Sequence, residues 1–468
     1  MLDVINDFLS SRVLIPFVLG LGAYFTIRSG FVQLRYFPHM FGVLRGSWRA
    51  NGQHLSSLQA LTLSLAGRVG TGNIVGVGIA VGLGGPGAVF WMWMTALLGM
   101  SSSFFECTLG QLYKRSDGNG LYRGGPSWYI QYGLNKRWLG LIVAMLMLVT
   151  FGFAINGLES HAVSHSLKDA FGLPPLWSSL ALSLMLGIVF IGGITRIAAV
   201  ADLLVPLKVL AYIGVTAYVL VLQFEQVPTM LMTIIRSAFG LDQAFGGLIG
   251  SAIIMGVRRG VFSNEAGLGS APNVASVAKV SHPIAQGAVQ ALSVFIDTFV
   301  VCTCTALMIL LSGIYSPGFE GDAIALAQNS LAAVVGDWGR SFISIVLALF
   351  VFTAMLYNYY LGENSLRFMF GETKKMLIIY RLVVLVMVFW GGNEDLSTVL
   401  AFADITMTLL ALVNLMAMAL LFKICLRLLN DYEVQRRSGI KTPVFDSKLF
   451  LELDLDPIAW PPVPAPKT

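Results

Sequence analysis

Eleven stretches of roughly 20 mainly apolar residues run along this chain, the length a helix needs to cross a hydrocarbon core about 30 Å thick. They cover approximately residues 12–29, 57–83, 87–113, 138–163, 176–194, 199–222, 244–273, 284–312, 339–367, 377–391 and 396–428 of the 468. Composition makes lipid the solvent for their outer faces. Hydrophobic residues make up 56% and charged residues 12%, with a mean hydropathy of +0.76; a soluble domain carries about 25% charge. In lipid every backbone polar group needs a partner inside the protein, which excludes open sheets. The expected fold class is therefore an all-α polytopic membrane protein with eleven transmembrane helices.

Positive charge tests that count. Loops on one side hold Arg28, Arg35, Arg45 and Arg49; Lys114, Arg115, Arg123, Lys136 and Arg137; Arg196; Lys279; Arg367, Lys374 and Lys375; then Arg427, Arg436, Arg437 and Lys441. Loops on the other side hold only Lys168 and Arg236. Basic loops stay cytoplasmic, which predicts an external N-terminus, a cytoplasmic C-terminus and a multi-pass location in a bacterial-type inner membrane. The net charge of +5 is thus read as loop asymmetry, with no nucleic-acid partner. Residues 1–12 lack the basic start of a signal peptide, so the first apolar stretch is read as a span. Cys107, Cys302, Cys304 and Cys425 lie in apolar runs without metal-ligand spacing and read as small buried hydrophobes.

The chain divides into an extra helix with a basic connector (1–54), two five-helix halves (55–222 and 223–428) and a Pro-rich tail (429–468), expected to be extended and without a core. Five is odd, so the halves must insert in opposite orientations. The first helix of each is interrupted by glycine: Gly70 and Gly72 in one, Gly256 and Gly260 in the other. Paired interrupted spans point to a transporter binding site. Glycines disfavour a continuous helix. The second half-helix of a broken span offers free N–H groups and a positive dipole end to a carboxylate, while carbonyls freed from the first half suit a hard cation. The alternative is close helix packing through small residues, which fits Gly76, Gly78 and Gly82. In the second interruption, Arg258, Arg259 and Glu265 read either as a rim of local ion pairs or as an inner gate, with Glu265 pairing Arg68 or Arg259 until the site opens.

Three blocks carry a resemblance. Gly67–Met94, with G-R-V-G-T-G-N-I-V-G-V-G; Gly120–Tyr129, G-L-Y-R-G-G-P-S-W-Y; and Arg259–Pro272, R-G-V-F-S-N-E-A-G-L-G-S-A-P, resemble the alanine or glycine:cation symporter family over about residues 12–428. The resemblance implies a LeuT-like 5+5 inverted repeat with one extra N-terminal helix, and Na+-driven, sometimes H+-driven, uptake of alanine or glycine. It implies that Thr71, Gly72 and Asn73 hold the amino acid carboxylate and that Met255 and Gly256 line the pocket. By analogy with the wider LeuT-like fold it places Na+ between the carbonyls of Ala66 and Val69 and the hydroxyl of Thr353.

Some residues depart from the family pattern. Glu159 and His161 stand where the family tends to carry Gln and Asn. Glu159 has four open readings: pairing the substrate ammonium, binding a proton, pairing Arg68, or facing water. Lys208, two residues after Pro206, reads as a fixed or proton-binding positive charge replacing sodium, or as a side chain snorkelling to the cytoplasmic edge. His161 and His165 share a helix face without a third zinc ligand. Glu106, Glu363 and Asp404 read as helix-to-helix hydrogen-bonding groups. The histidines are scattered and no nucleophile, Walker A or cofactor motif is present. An enzyme is therefore disfavoured, and Na+ is the one small ion expected besides the amino acid. A passive channel would differ in lacking trans-stimulated exchange.

Overall fold

The computed structural model describes residues 8–46, 55–118, 120–241, 249–316, 319, 321–394 and 396–462, the side chains of 396–398 excepted. Arg49, the first residues of the expected seventh span and the end of the tail lie outside them. Among the described residues seven helices are long and apolar enough to cross a membrane, eight with one bent pair. They are α1 (Phe8–Arg28), the bent pair α2 (Ser57–Arg68) and α3 (Gly72–Gly84), α4 (Gly87–Leu112), α5 (Arg137–Phe171), α7 (Gly193–Leu222), α10 (Pro283–Leu311), α11 (Trp338–Phe370) and α13, whose apolar part is Val399–Arg437. The other three expected spans form shorter or more charged helices: α6 (Pro175–Phe190), α8 (Ile249–Asn264) with the short α9 (Ala271–Ala275), and α12 (Lys374–Gly391). Shorter helices, Pro126–Gly133, Val227–Ala238 and Ala323–Val335, lie between these elements.

The pieces pack so that the broken helices are central. Helix α4 runs along both α8 and α10, α5 lies against α11 and α12, and α7 and α11 both lean on α2. The apolar outer face of α7 is left bare, with Leu203, Leu207, Leu210 and Val221 exposed, as expected of a lipid-facing surface.

The first break lies where the glycines predict. A capping box closes the start of α2: Gln59 N–H donates to the Ser56 hydroxyl and Ser56 N–H to the Gln59 side chain, satisfying two of the orphan donors of a helix start. The helix stops at Arg68, and α3 leaves at 53° to α2.

The second break does not lie at Gly256–Gly260. Helix α8 is wound through both glycines to Asn264. A Cβ on Gly256 would stand 2.4 Å from the Ala88 carbonyl oxygen, and one on Gly260 3.3 Å from Met92 Cα, so these glycines let α8 press on α4, the packing use of small residues. The chain unwinds at Glu265–Ser270 instead, where Glu265, Gly267 and Gly269 all have positive φ (53°, 85° and 80°). Left-handed residues cannot continue a right-handed helix.

The tail is the other correction. Helix α13 continues to Arg437, and the segment beyond it packs back on the end of α4 and the loop before α10. Phe445 N–H donates to the Ser281 carbonyl at 2.9 Å, and the buried Trp460 indole donates to the Leu112 carbonyl at 3.1 Å. Phe445, Phe450 and Trp460 supply the apolar anchors that composition alone obscured.

Candidate functional site

At the first break Gly70 N–H donates to Asn73 Oδ1 at 2.9 Å, so the Asn73 side chain bridges the gap that unwinding opens. No side chain caps the first turn of α3, and its leading N–H groups keep the positive end of that helix without a covering carboxylate. Small residues let other elements approach this backbone. A Cβ on Gly72 would stand 2.8 Å from Ser263 Cα on α8, one on Gly70 3.0 Å from Glu159 Oε1 on α5, and one on Gly67 2.2 Å from the Tyr357 ring on α11. The predicted residues Thr71, Gly72, Asn73 and Glu159 are therefore brought together. Thr71 also lines a small, mainly apolar pocket with Val75, Leu158, Ala162, Arg259, Phe262 and Leu400.

Met255 and Gly256 are not brought to this place. Gly256 is spent on the α4 contact, and Met255 lies against Gly84 at the far end of α3. From α8 it is Phe262 and Ser263, about two turns further on, that reach the break.

Asn73 leads to a group that the sequence reading passed over. Its Nδ2 donates to Asp297 Oδ1 at 2.6 Å, while Oδ2 of Asp297 accepts from Ser263 at 3.0 Å and Thr298 at 2.8 Å. Asp297 is fully buried, lies in a stretch of wide π-helical turns within α10 (Phe295–Cys302), and all these partners are neutral. A buried carboxylate held only by neutral donors is costly; with the hydroxyl oxygens of Ser263 on α8 and Thr298 on α10 beside it, it offers oxygen ligands of the kind a hard cation takes. The signal was present: an acid alone in a run of about 29 apolar residues is a functional candidate by default. Thr305 fixes the same region by donating to the Asn73 carbonyl at 2.6 Å.

The second position, expected for Na+, holds an ammonium. Lys208 is fully buried, so it does not snorkel. Its Nζ donates to the Val69 carbonyl at 2.7 Å and to Thr353 Oγ1 at 2.5 Å, with the Phe350 carbonyl at 3.4 Å. Thr353 in turn stands 3.5 Å from the Ala66 carbonyl. The three groups expected around a cation, Ala66, Val69 and Thr353, do converge, and the cationic group among them is Lys208.

The expected gate pair is not formed. Arg68 is buried and donates to Ser103 at 3.0 Å; Glu265 accepts from Ser270 at 2.6 Å and Tyr357 at 3.3 Å. Arg259 pairs with Asp404 instead, at 2.8 Å, as does Arg258. These pairs tie α8 to α13. Glu159 accepts from Asn358 at 3.0 Å, which leaves Arg68 out of its hydrogen bonds. His161 and His165 stack at 4.0 Å, and among the described residues no cluster of His, Cys, Asp or Glu fits a metal.

Comparison with known proteins gives a consistent picture. The family model described as the sodium:alanine symporter family matches residues 1–447. The probable sodium/glutamine symporter GlnT of Bacillus subtilis is 46% identical over 444 residues, 94% of this chain and 92% of that protein. The amino-acid carrier protein AlsT of Bacillus subtilis is 42% identical over 96% of this chain and 95% of its own. The sodium/alanine symporter AgcS of Methanococcus maripaludis is 35% identical over 90% and 94%. Among solved structures, MhsT in complex with L-phenylalanine superposes with a TM-score of 0.56 at 15% identity, covering 80% of this chain and 90% of that one. A variant of the Eremococcus coleocola manganese transporter gives 0.54 at 14% identity, covering 76% of each. At such identities the likeness is one of fold, and the fold is LeuT-like.

Proposed function

The chain belongs to the sodium:alanine symporter family, and from that premise we propose that it carries a small neutral amino acid, alanine or glycine first, inward together with one Na+. It is a transporter and not an enzyme. The observation that carries the reading is the meeting of the unwound Val69–Thr71 segment with the buried Asp297. The substrate carboxylate lies at the open first turn of α3, beside Thr71 and Gly72. Na+ lies among the oxygens of Asp297, Ser263 and Thr298, held in register with the break by Asn73. Glu159, beside Gly70, faces the substrate ammonium. The aliphatic side chain enters the pocket of Val75, Leu158, Ala162 and Phe262.

In this reading the Lys208 amine fills the second cation position, so one Na+ accompanies each substrate. Cation and carboxylate complete the site together. Because both are held better in the closed arrangement than in either open one, their joint binding shifts the equilibrium toward closure. The Arg258 and Arg259 pairs with Asp404 form the outer barrier. The N-terminus is external and the basic loops cytoplasmic, as charge asymmetry requires.

Two alternatives have specific support. The 46% identity to GlnT favours glutamine as a competing substrate. The ammonium at the cation position favours H+ coupling through Lys208. One experiment addresses both: uptake of labelled alanine, glycine and glutamine into proteoliposomes, with Na+ and pH gradients imposed separately. An inward Na+ gradient alone should drive accumulation, and unlabelled internal substrate should stimulate exchange. Uptake that follows only the pH gradient, or ignores both, contradicts the Na+ reading.

A further inference from the structure

The second break raises a problem that its own chain does not solve. Unwinding at Glu265–Ser270 removes helical hydrogen bonds in the membrane interior, where each bare peptide group must find a partner. Part of the demand is met locally: Ala266 N–H donates to Asn264 Oδ1 at 3.0 Å and Leu268 N–H to the Glu265 carbonyl at 3.2 Å. Asn273 on α9 donates to the Gly269 carbonyl at 2.8 Å and the Ser270 carbonyl at 3.1 Å, and two buried side chains from other helices take further groups. Gly269 N–H donates to Glu106 Oε2 on α4 at 3.1 Å. Asn414 on α13 donates to the Gly267 carbonyl at 2.9 Å and to the same Glu106 oxygen at 3.2 Å. The Tyr129 hydroxyl donates to Asn414 Oδ1, which fixes how that amide is turned.

We infer that Glu106 and Asn414 are positioning residues that hold the second broken helix unwound, and so keep α8 with Ser263 and Phe262 in register with the first break. This deepens, and rests on, the two-break reading of the site. Glu106 and Asn414 make their contacts with the unwound segment, and neither is among the groups that bind substrate or Na+ in that reading. Gly267 and Gly269 fit the role: a Cβ on either would run into Leu415 Cδ2 at 2.8 Å or Pro126 Cγ at 2.4 Å, so the segment is pressed into its clamp.

The test compares Glu106→Gln, which keeps an acceptor for Gly269, with Glu106→Met, which does not. Na+-driven uptake into proteoliposomes is paired with hydrogen exchange across residues 265–270. Glu106→Met should raise substrate KM about tenfold, the order expected for a buried peptide group that loses its partner, with turnover within about threefold and faster exchange in that segment. Glu106→Gln should restore both to near wild-type values. Adding Asn414→Ser to Glu106→Met should not multiply the defect, since the two share one network.

Wild-type KM and exchange in folded Glu106→Met overturn the inference, as does a Gln variant as impaired as Met. If Glu106→Met does not fold, Asn414→Ser alone carries the same expectation, and unchanged KM and exchange there overturn it. Should the wild-type protein show no Na+-driven amino acid uptake, the function proposed above fails. The exchange measurement then decides the role of Glu106 on its own.

Discussion

Replacing Lys208 by Met tests how the second cation position works. The two side chains have similar length, so packing is largely kept. What disappears is an ammonium making short hydrogen bonds to the Val69 carbonyl (2.7 Å) and Thr353 Oγ1 (2.5 Å). Thr353 retains a partner, the Phe350 carbonyl at 3.0 Å. The Val69 carbonyl is left unpaired at the break, which costs about 1–3 kcal/mol, roughly a 5- to 150-fold loss in whatever equilibrium needs that carbonyl held. The site also loses one positive charge, and its remaining oxygens suit a second Na+. The expectation is a change in kind as well as degree. Wild-type uptake should rise hyperbolically with Na+; Lys208→Met should respond sigmoidally, with at least a fivefold higher half-saturating concentration. The assay is initial-rate uptake in proteoliposomes across a Na+ series at two pH values. A variant with unchanged Na+ dependence and unchanged pH response would refute the idea that Lys208 stands in for a cation.

Asp297→Asn keeps the shape and hydrogen bonds of the first cation position but removes its charge; half-saturating Na+ should rise tenfold or more, about 1.4 kcal/mol per decade, and this is read from Na+-dependent substrate binding. Glu159→Gln should alter the ranking among alanine, glycine and glutamine or the pH profile of uptake, and an identical ranking and profile would assign Glu159 to structure alone. Just past the end of α4, burial chiefly, with Lys279 nearby, pulls the Lys114 ammonium down to about 7, beneath Trp460 at 4.6 Å. The base is neutral when packed and protonated when released between that value and about 10.4. Release thus takes up a proton, and packing of the tail tightens as pH rises across this window, by at most about 1.4 kcal/mol per unit. Limited proteolysis of the tail should accordingly slow from pH 7 to 9, and Lys114→Met should remove the trend.

The all-helical membrane fold and the first break were legible because their causes are local. Apolar length, loop charge and the Gly-x-Gly run before Asn73 act within a few residues of where they are read. The second break was misplaced because glycine has two uses that look alike in sequence. Gly256 and Gly260 serve close packing against α4, whereas Gly267 and Gly269 supply positive φ; only the neighbouring helix separates the two. The same holds for gating. Arg68 and Glu265 are suitable partners by charge, yet Ser103, Ser270 and Tyr357 engage them first, and Asp404 takes the arginines of α8. Lys208 was legible as a candidate, but its meeting with Val69 joins residues 139 positions apart. Asp297 is different: a lone acid in an apolar helix is a sequence-level signal, and the emphasis on glycine hid it. The tail misled because proline-rich composition outweighed three aromatic anchors.

The most direct measurement is equilibrium binding of labelled alanine and glutamine to purified protein, with and without Na+, in the wild type and in Asn73→Leu. Asn73 bridges the unwound turn through Gly70 and the buried acid through Asp297, so leucine there should leave no Na+-stimulated binding of either amino acid while the protein stays folded. Binding of undiminished affinity and Na+ response in that variant would mean that substrate and ion are held somewhere else.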